Sequence, residues 1–246
     1  MRWFAALVIT LMATPLWAVE CRDVTYQGAG YTVCEVDAEH EALRLFLRDP
    51  ETKAPLGSFT NLEQLLEPQG MRLEFAMNAG MYHPDLAPVG QYVEAGQEVM
   101  RVISSDGPGN FGLLPNGVFC IREDRADVIE TLRYLRDKPG CVYATQSGPM
   151  LVINGALHPK FLKGSDSRYV RNGVGTSRDG HRAVFVISNQ PVTFYQFGAF
   201  FRDCLKLPQA LYFDGNISRL YAPGLERFDG GYPMGPMVGV VRQAED

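Results

Sequence analysis

Few stretches of this sequence run far without a glycine, proline or asparagine, and the segments between those breaks are short and apolar. That punctuation leaves little room for long helices and favours a fold built of strands. Several segments alternate apolar with polar residues, which puts one face of a strand in a core and the other in water. "EALRLFLRD" (Glu41–Asp49) and "GVFCIRED" (Gly117–Asp124) show it most plainly. Strands are expected over Thr25–Val36, folded back at a Gly28–Gly30 turn, and over Ala42–Arg48, Arg72–Met77, Gly90–Val102, Gly117–Glu123 and Val128–Leu132. Further strands are expected over Val142–Ile153, Ala183–Ser188, Ala210–Phe213 and Val238–Arg242. Two segments read as helices. Asn61–Glu67 is capped by Thr60 or Asn61. Phe194–Leu205, capped by Thr193, puts Phe197, Phe200, Phe201, Cys204 and Leu205 on one face. Many strands, few helices and one late crossover helix give the expected class: α+β, with mixed, largely antiparallel sheets packed with a few helices in a single domain. No repeat, low-complexity tract or linker-like stretch divides the chain.

The first residues stand apart. Met1-Arg2 is a positive start, Trp3–Met12 an apolar run and "ATPLWA" (Ala13–Ala18) a small-residue exit, the order of a secretory signal cleaved after Ala18. The expected organisation is a signal peptide at 1–18 and one folded domain at 19–246. The apolar run is short for a membrane span, and no later segment is long and apolar enough, so the mature chain is expected to carry no transmembrane segment. Glu20 before Cys21 is not the small residue that lipoprotein processing needs. All five cysteines lie beyond the signal and face an oxidising compartment, which makes the expected location periplasmic or secreted. Cys21 and Cys34 flank the hairpin "DVTYQGAGYTV" and are expected to pair, a closure contributing roughly 3 kcal/mol in the chain-entropy reading. Cys120 and Cys141 are the next pair. Cys204 is left over, as a small buried hydrophobe rather than a reactive thiol. Without a CxxC or a Cys/His cluster, no zinc site is expected. A net charge of −5 with no basic patch argues against a nucleic-acid partner.

Four polar knots each follow an expected strand: "NAGMYHPD" (Asn78–Asp85), "QSGPM" (Gln146–Met150), "YVRNGVGTS" (Tyr169–Ser177) and "FDGNIS" (Phe213–Ser218). A polar side chain at the end of an apolar strand is costly to desolvate and needs a partner there. Glycines beside it, here Gly80, Gly148 and Gly215, let a ligand or another backbone come close. One such knot is an ordinary turn. Four of them, bringing an acid, an arginine, amides and hydroxyls, are better explained by a shared cleft.

Other residues have plainer readings. Asn78 alone is accounted for equally well as a turn cap. Ser147 sits in Ser-Gly-Pro, not in the Gly-x-Ser-x-Gly elbow of a serine hydrolase. His83, His158 and His181, each beside Pro or Gly, are expected to be surface loop residues, and His40-Glu41 lacks the second histidine of a zinc protease. Asp179-Gly180 is the tip of a hairpin between "VGTS" and "RAVFVIS". Glu94 in "GQYVEAG" suits a solvated strand face better than a second acid. Arg171 differs: its segment otherwise needs no cation, and its fork is the side chain best shaped for a phosphate or carboxylate.

Taken in order, "NAGMY", "SGPMLVING", "RNGVGTSRDG" and "ALYFDGNIS", with a helix before the last, resemble the phosphodiester glycosidase family over roughly Arg72 to Arg242. The resemblance is to an uncovering-enzyme-like domain of the bacterial, periplasmic and exopolysaccharide-related branch. It implies a secreted hydrolase that cleaves a glycosyl phosphodiester bond in envelope or exopolysaccharide metabolism. The family more usually reads Asp-Gly-Gly where this chain has Asp214-Gly215-Asn216; the acid and the first glycine remain.

Breaking such a bond passes through an oxocarbenium-like transition state, which ordinary glycosidases serve with two carboxylates. A phosphate leaving group is already a stabilised anion, so a cation and aligned amide donors can bear the departing charge instead. The expected catalytic residues are Asp214, attacking C1 or activating water, and Arg171, holding the phosphate. Asn78, Gly80, Ser147, Gly148, Asn172, Gly215 and Ser218 are expected around a sugar-phosphate or polysaccharide ligand. No cofactor is expected. A divalent cation such as calcium could sit on Asp214 or loop carboxylates, but no ligand spacing demands one. The competing reading is a non-catalytic phosphosugar- or polysaccharide-binding protein of the cell envelope that uses the same cleft.

Overall fold

The computed structural model describes residues 19–244, so the expected signal peptide at 1–18 lies outside the described residues. Strands β1 (Glu20–Tyr26) and β2 (Ala29–Asp37) form the first hairpin; β3 (Ala42–Phe46) follows, and helix α1 (Phe59–Leu66) leads into β4 (Met71–Asn78). Next come β5 (Tyr92–Glu94), β6 (Gln97–Met100), β7 (Gly117–Ile121), β8 (Ala126–Glu130) and helix α2 (Thr131–Asp137). After β9 (Tyr143–Ser147), β10 (Met150–Ile153), β11 (Ala156–Leu157), β12 (Asn172–Thr176) and β13 (Arg182–Ser188), helix α3 (Phe194–Ala199) runs on through a π turn over Phe200–Cys204. Strands β14 (Gln209–Asp214), β15 (Leu220–Ala222), β16 (Arg227–Phe228) and β17 (Met237–Gln243) finish the fold.

These strands make a seven-stranded sheet in the order β1-β2-β13-β12-β14-β10-β11 and two five-stranded sheets, β16-β15-β4-β17-β3 and β6-β5-β9-β7-β8. The class is α+β, and the pairings within the sheets are antiparallel. The large sheet explains the late crossover: β13 and β14 run the same way on either side of β12, so the chain must recross a face between them, and α3 does this.

One apolar core joins the three sheets. Phe185 of β13 meets Phe75 of β4 with ring centroids 4.9 Å apart and Phe119 of β7 at 5.7 Å, and Phe119 meets Phe213 of β14 at 6.3 Å. Tilted and edge-to-face contacts of this kind add to the burial of the rings. The opposite face of the large sheet is covered by Phe197, Phe200 and Phe201, with Phe200 stacked on Tyr31 at 4.0 Å. Both faces are therefore buried, which is why "RAVFVIS" reads as a nearly continuous apolar run. Helix α1 lays Phe59, Leu62 and Leu66 on the sheet that contains β4.

Several expected boundaries shift for local reasons. The N-cap of α1 is Ser58, whose hydroxyl accepts from Asn61 N at 3.1 Å, while the Asn61 side chain donates to Leu56 O. The strand expected over Val128–Leu132 stops at Glu130, whose carboxylate accepts from Leu132 N and Arg133 N and starts α2 instead. Gly90–Val102 and Val142–Ile153 each divide into two strands, at Ala95-Gly96 and at Gly148-Pro149. Cys21 bonds Cys34 directly across the first hairpin, and Cys120 bonds Cys141, as expected. Cys204 is free and half-buried against the aromatic cluster. No helix among the described residues is long and apolar enough to cross a membrane.

Candidate functional site

Three strand ends and one strand start meet where the sheets meet. Strand β4 ends at Asn78, β9 at Ser147 and β14 at Asp214. Antiparallel pairing puts the start of β12 beside the end of β14, so Asn172 lies opposite Asp214. The register shifts between Asn172 and Gly173, an irregularity of the kind that re-aims a side chain at a strand end.

Asn172 Nδ2 donates to both the backbone and side-chain oxygens of Asn78, each at 2.9 Å. Asn78 Nδ2 donates to Ile217 O at 2.5 Å, and its Oδ1 accepts from Arg219 N at 2.9 Å. Asn172 Oδ1 accepts from Asp214 N at 3.1 Å. Ser147 Oγ donates to Phe213 O and Ser218 Oγ to Val170 O. All four side chains are buried. The sequence leads one to expect them on a ligand. The structure puts Asn78, Asn172 and Ser147 beneath the cleft surface, where their hydrogen bonds hold the strand ends and the turn after β14. The glycines behave alike. A side chain on Gly80 would come within 2.9 Å of Thr145 Oγ1, one on Gly148 within 2.6 Å of Asn116 Cβ, and one on Gly215 within 2.2 Å of the Tyr212 hydroxyl. What approaches each of them in the structure is protein.

Above this layer lies a cleft of about 570 Å³, walled by Met81, Tyr82, Asn110, Tyr169 and Tyr212, with Asp214 and the turn residues Gly215–Ile217 on one side. Asp214 Oδ1 accepts from Gly215 N at 2.5 Å and Asn216 N at 2.8 Å. Those amides favour the carboxylate, but burial outweighs them and holds the acid above its usual range. A partly desolvated acid facing a cleft is suited to taking a proton or attacking a carbon. Burial also raises Tyr212, although Arg171 and Asn110 pull it the other way, so its phenol stays a proton donor. Tyr82, whose hydroxyl donates to Pro233 O at 2.8 Å, is pushed up to about 12, by burial first and then by the Asp214 charge.

Arg171 is expected from sequence to present its fork to the ligand opposite Asp214. The structure buries it completely. Its guanidinium lies 3.7 Å over the Phe194 ring and 5.4 Å from the rings of Tyr169 and Tyr212. Nε donates to Val192 O and Nη2 to Ser167 O, while Nη1 is buried without a hydrogen-bond partner. The cation therefore stands behind the tyrosines that wall the cleft, and desolvation lowers its pKa. An arginine remains charged even so.

Glu94 is in β5, where it accepts from Tyr92 Oη at 2.9 Å; burial raises its pKa, and it does not line the cleft. Among the described residues no group of three or more His, Cys, Asp or Glu side chains is arranged to hold a metal ion. The cleft residues that sequence reasoning passed over are Tyr82, Asn110 and Tyr212. One signal for Tyr212 exists: a phenol in an otherwise apolar strand, two residues before the acid. Asn110 lies in the glycine-dense "SDGPGNFG", whose only hint was its resistance to forming a strand.

The profile of the family described as phosphodiester glycosidase matches residues 71–236. The chain is 33% identical over 239 residues to the uncharacterized protein YigE of Escherichia coli K12, covering 96% of this chain and 92% of that one. Among solved structures, it is similar to the catalytic domain of zebrafish N-acetylglucosamine-1-phosphodiester alpha-N-acetylglucosaminidase auto-inhibited by its pro-peptide. The TM-score there is 0.59 at 13% identity, over 90% of this chain and 81% of that one. A putative exported protein of Burkholderia pseudomallei K96243 superposes with a TM-score of 0.57 at 12% identity, over 86% and 74% of the two chains.

Proposed function

This chain belongs to the phosphodiester glycosidase family, and from that premise we propose that it hydrolyses the bond between a sugar's anomeric carbon and a phosphodiester, outside the cytoplasm. Asp214 carries the reading: it is an acid at a strand end, in a cleft, with its pKa held up by burial. It attacks C1 or activates the water that does. The departing phosphate leaves as a stabilised anion, so the cleft needs donors and a positive field more than a second carboxylate. The Tyr212 hydroxyl is a protonated donor coupled electrostatically to both Arg171 and Asp214. Arg171 thus acts through Tyr212 and, with Asn78 and Asn172, as a positioning residue. Two disulfides and the signal-like start support an extracytoplasmic, periplasmic or secreted location for a domain spanning 19–246. An envelope or exopolysaccharide sugar-phosphate is the matching substrate class.

The test is release of free reducing sugar from a panel of glycosyl phosphodiesters. Wild type is expected to release it, with turnover unaffected by a chelator, and Asp214→Asn to lose at least about 10³-fold in kcat while staying folded. Full turnover by the Asn variant would remove Asp214 from the chemistry. Ligand binding by wild type with no sugar released would favour the binding-protein reading.

A further inference from the structure

The Asp214 cleft does not end at the turn after β14. Across the Gly215-Asn216 ridge lies a second groove of about 870 Å³, which shares Tyr169, Gly215 and Asn216 with the first and is also lined by Arg168, Arg219, Arg227 and Asp229. Arg227 is neutralised: it donates to Asp229 at 3.0–3.2 Å and spends its remaining donor on Thr32 and Asn189. The other two are not. Arg168 meets Gln196 Oε1 at 3.0 Å, Arg219 donates to Ser218 O at 3.0 Å, and neither has a carboxylate within 4 Å among the described residues. Arg219 Nε is buried with no partner. What distinguishes these two is their place, in the groove that adjoins the Asp214 cleft. In the polar hollow of about 670 Å³ lined by Arg122, Arg125, Arg133 and Arg178, the first three already have their acid, Asp127 or Asp137, and the hollow shares no residue with the Asp214 cleft.

From this we infer that the site continues over the ridge into the second groove, where Arg168 and Arg219 take a further anionic group of the same ligand. The substrate is then a chain of repeated negative charge, a phosphate-bearing glycan, rather than a small glycoside with a neutral aglycone. The inference rests on the proposed hydrolase reading and names its substrate class. Guanidinium groups without acid partners bind phosphate through paired, charge-assisted hydrogen bonds. Tyr169, 48% exposed, stands between the two grooves as a flat wall against which a sugar ring can lie. Asn216 on the ridge is the residue such a chain must pass.

Two substrates with the same sugar decide it: a methyl glycosyl phosphodiester, and one whose aglycone is a short phosphate-bearing oligosaccharide. Wild type is expected to prefer the second by about tenfold or more in kcat/KM, with the advantage shrinking as salt rises. Arg168→Glu, at an exposed position that tolerates the change, is expected to abolish that preference through KM while leaving the methyl substrate unaffected; Arg219→Gln is expected to reduce the preference. Binding is measured separately on Asp214→Asn, with phosphorylated dextran against unmodified dextran. Selective binding lost with Arg168→Glu supports the groove even if wild type shows no turnover, which would defeat the hydrolase reading alone. Equal binding of both polymers, or a preference untouched by Arg168→Glu, would overturn the inference.

Discussion

At the scale of single residues, the chemistry rests on an acid whose ionisation the fold resists. Because the folded pKa of Asp214 lies above its unfolded value, the native state holds that proton more tightly. Its stabilising contribution is present below the unfolded pKa, the ordinary aspartate value of 3.8, and is lost as pH rises through the folded pKa. Asp214→Asn is therefore expected to raise the Tm at pH 7 relative to wild type, with the gap closing as the pH approaches 3.8, while the acid limb of kcat/KM lies above the ordinary carboxylate range. Tyr212→Phe removes the donor and should cost about 10²-fold in kcat. Gly215→Ala should be poorly tolerated, since its new methyl would meet the Tyr212 hydroxyl at 2.2 Å, and adding Tyr212→Phe should restore the fold but not turnover. Asp214 was legible in the sequence because a lone acid ends an apolar strand. The unusual standing of Arg171 was legible too. Its burial was not, because that depends on Phe194, Tyr169 and Tyr212, which come together only through the crossover.

At the scale of elements, α3 both seals the large sheet and fixes the site. Thr193 Oγ1 accepts from Gln196 N at 3.1 Å, and Gln196 Oε1 accepts from Thr193 N at 3.0 Å, a reciprocal cap at the helix start. The neighbours of that cap hold Arg171: Val192 offers its carbonyl and Phe194 its ring. Thr193→Ala should cost about 1 kcal/mol in urea unfolding and should lower kcat even well below the Tm, because the guanidinium loses its registration. Strands with clear alternation, such as β3 and β7, could be read directly. Strands β15 and β16 could not, since a period of two cannot be recognised in two or three residues. Helix α2 escaped because its start depends on the Glu130 side chain folding back onto the backbone, not on any hydrophobic stripe.

At the scale of the whole molecule, three sheets share one core, and the Cys21–Cys34 bridge ties the edge strand β1 to a cysteine buried inside it. Replacing Cys21 and Cys34 together by serine should lower the stability measured under non-reducing conditions by roughly 3 kcal/mol, with little effect on kcat, since neither cysteine lines the cleft. The seam between sheets is a different matter. The reciprocal amides of Asn78 and Asn172 stitch β4 to β12 and anchor the turn that carries Asp214. Sheets that come apart there cannot leave a working centre behind. Heat inactivation should accordingly track global melting rather than run ahead of it, and no truncated half of this protein should keep a trace of turnover.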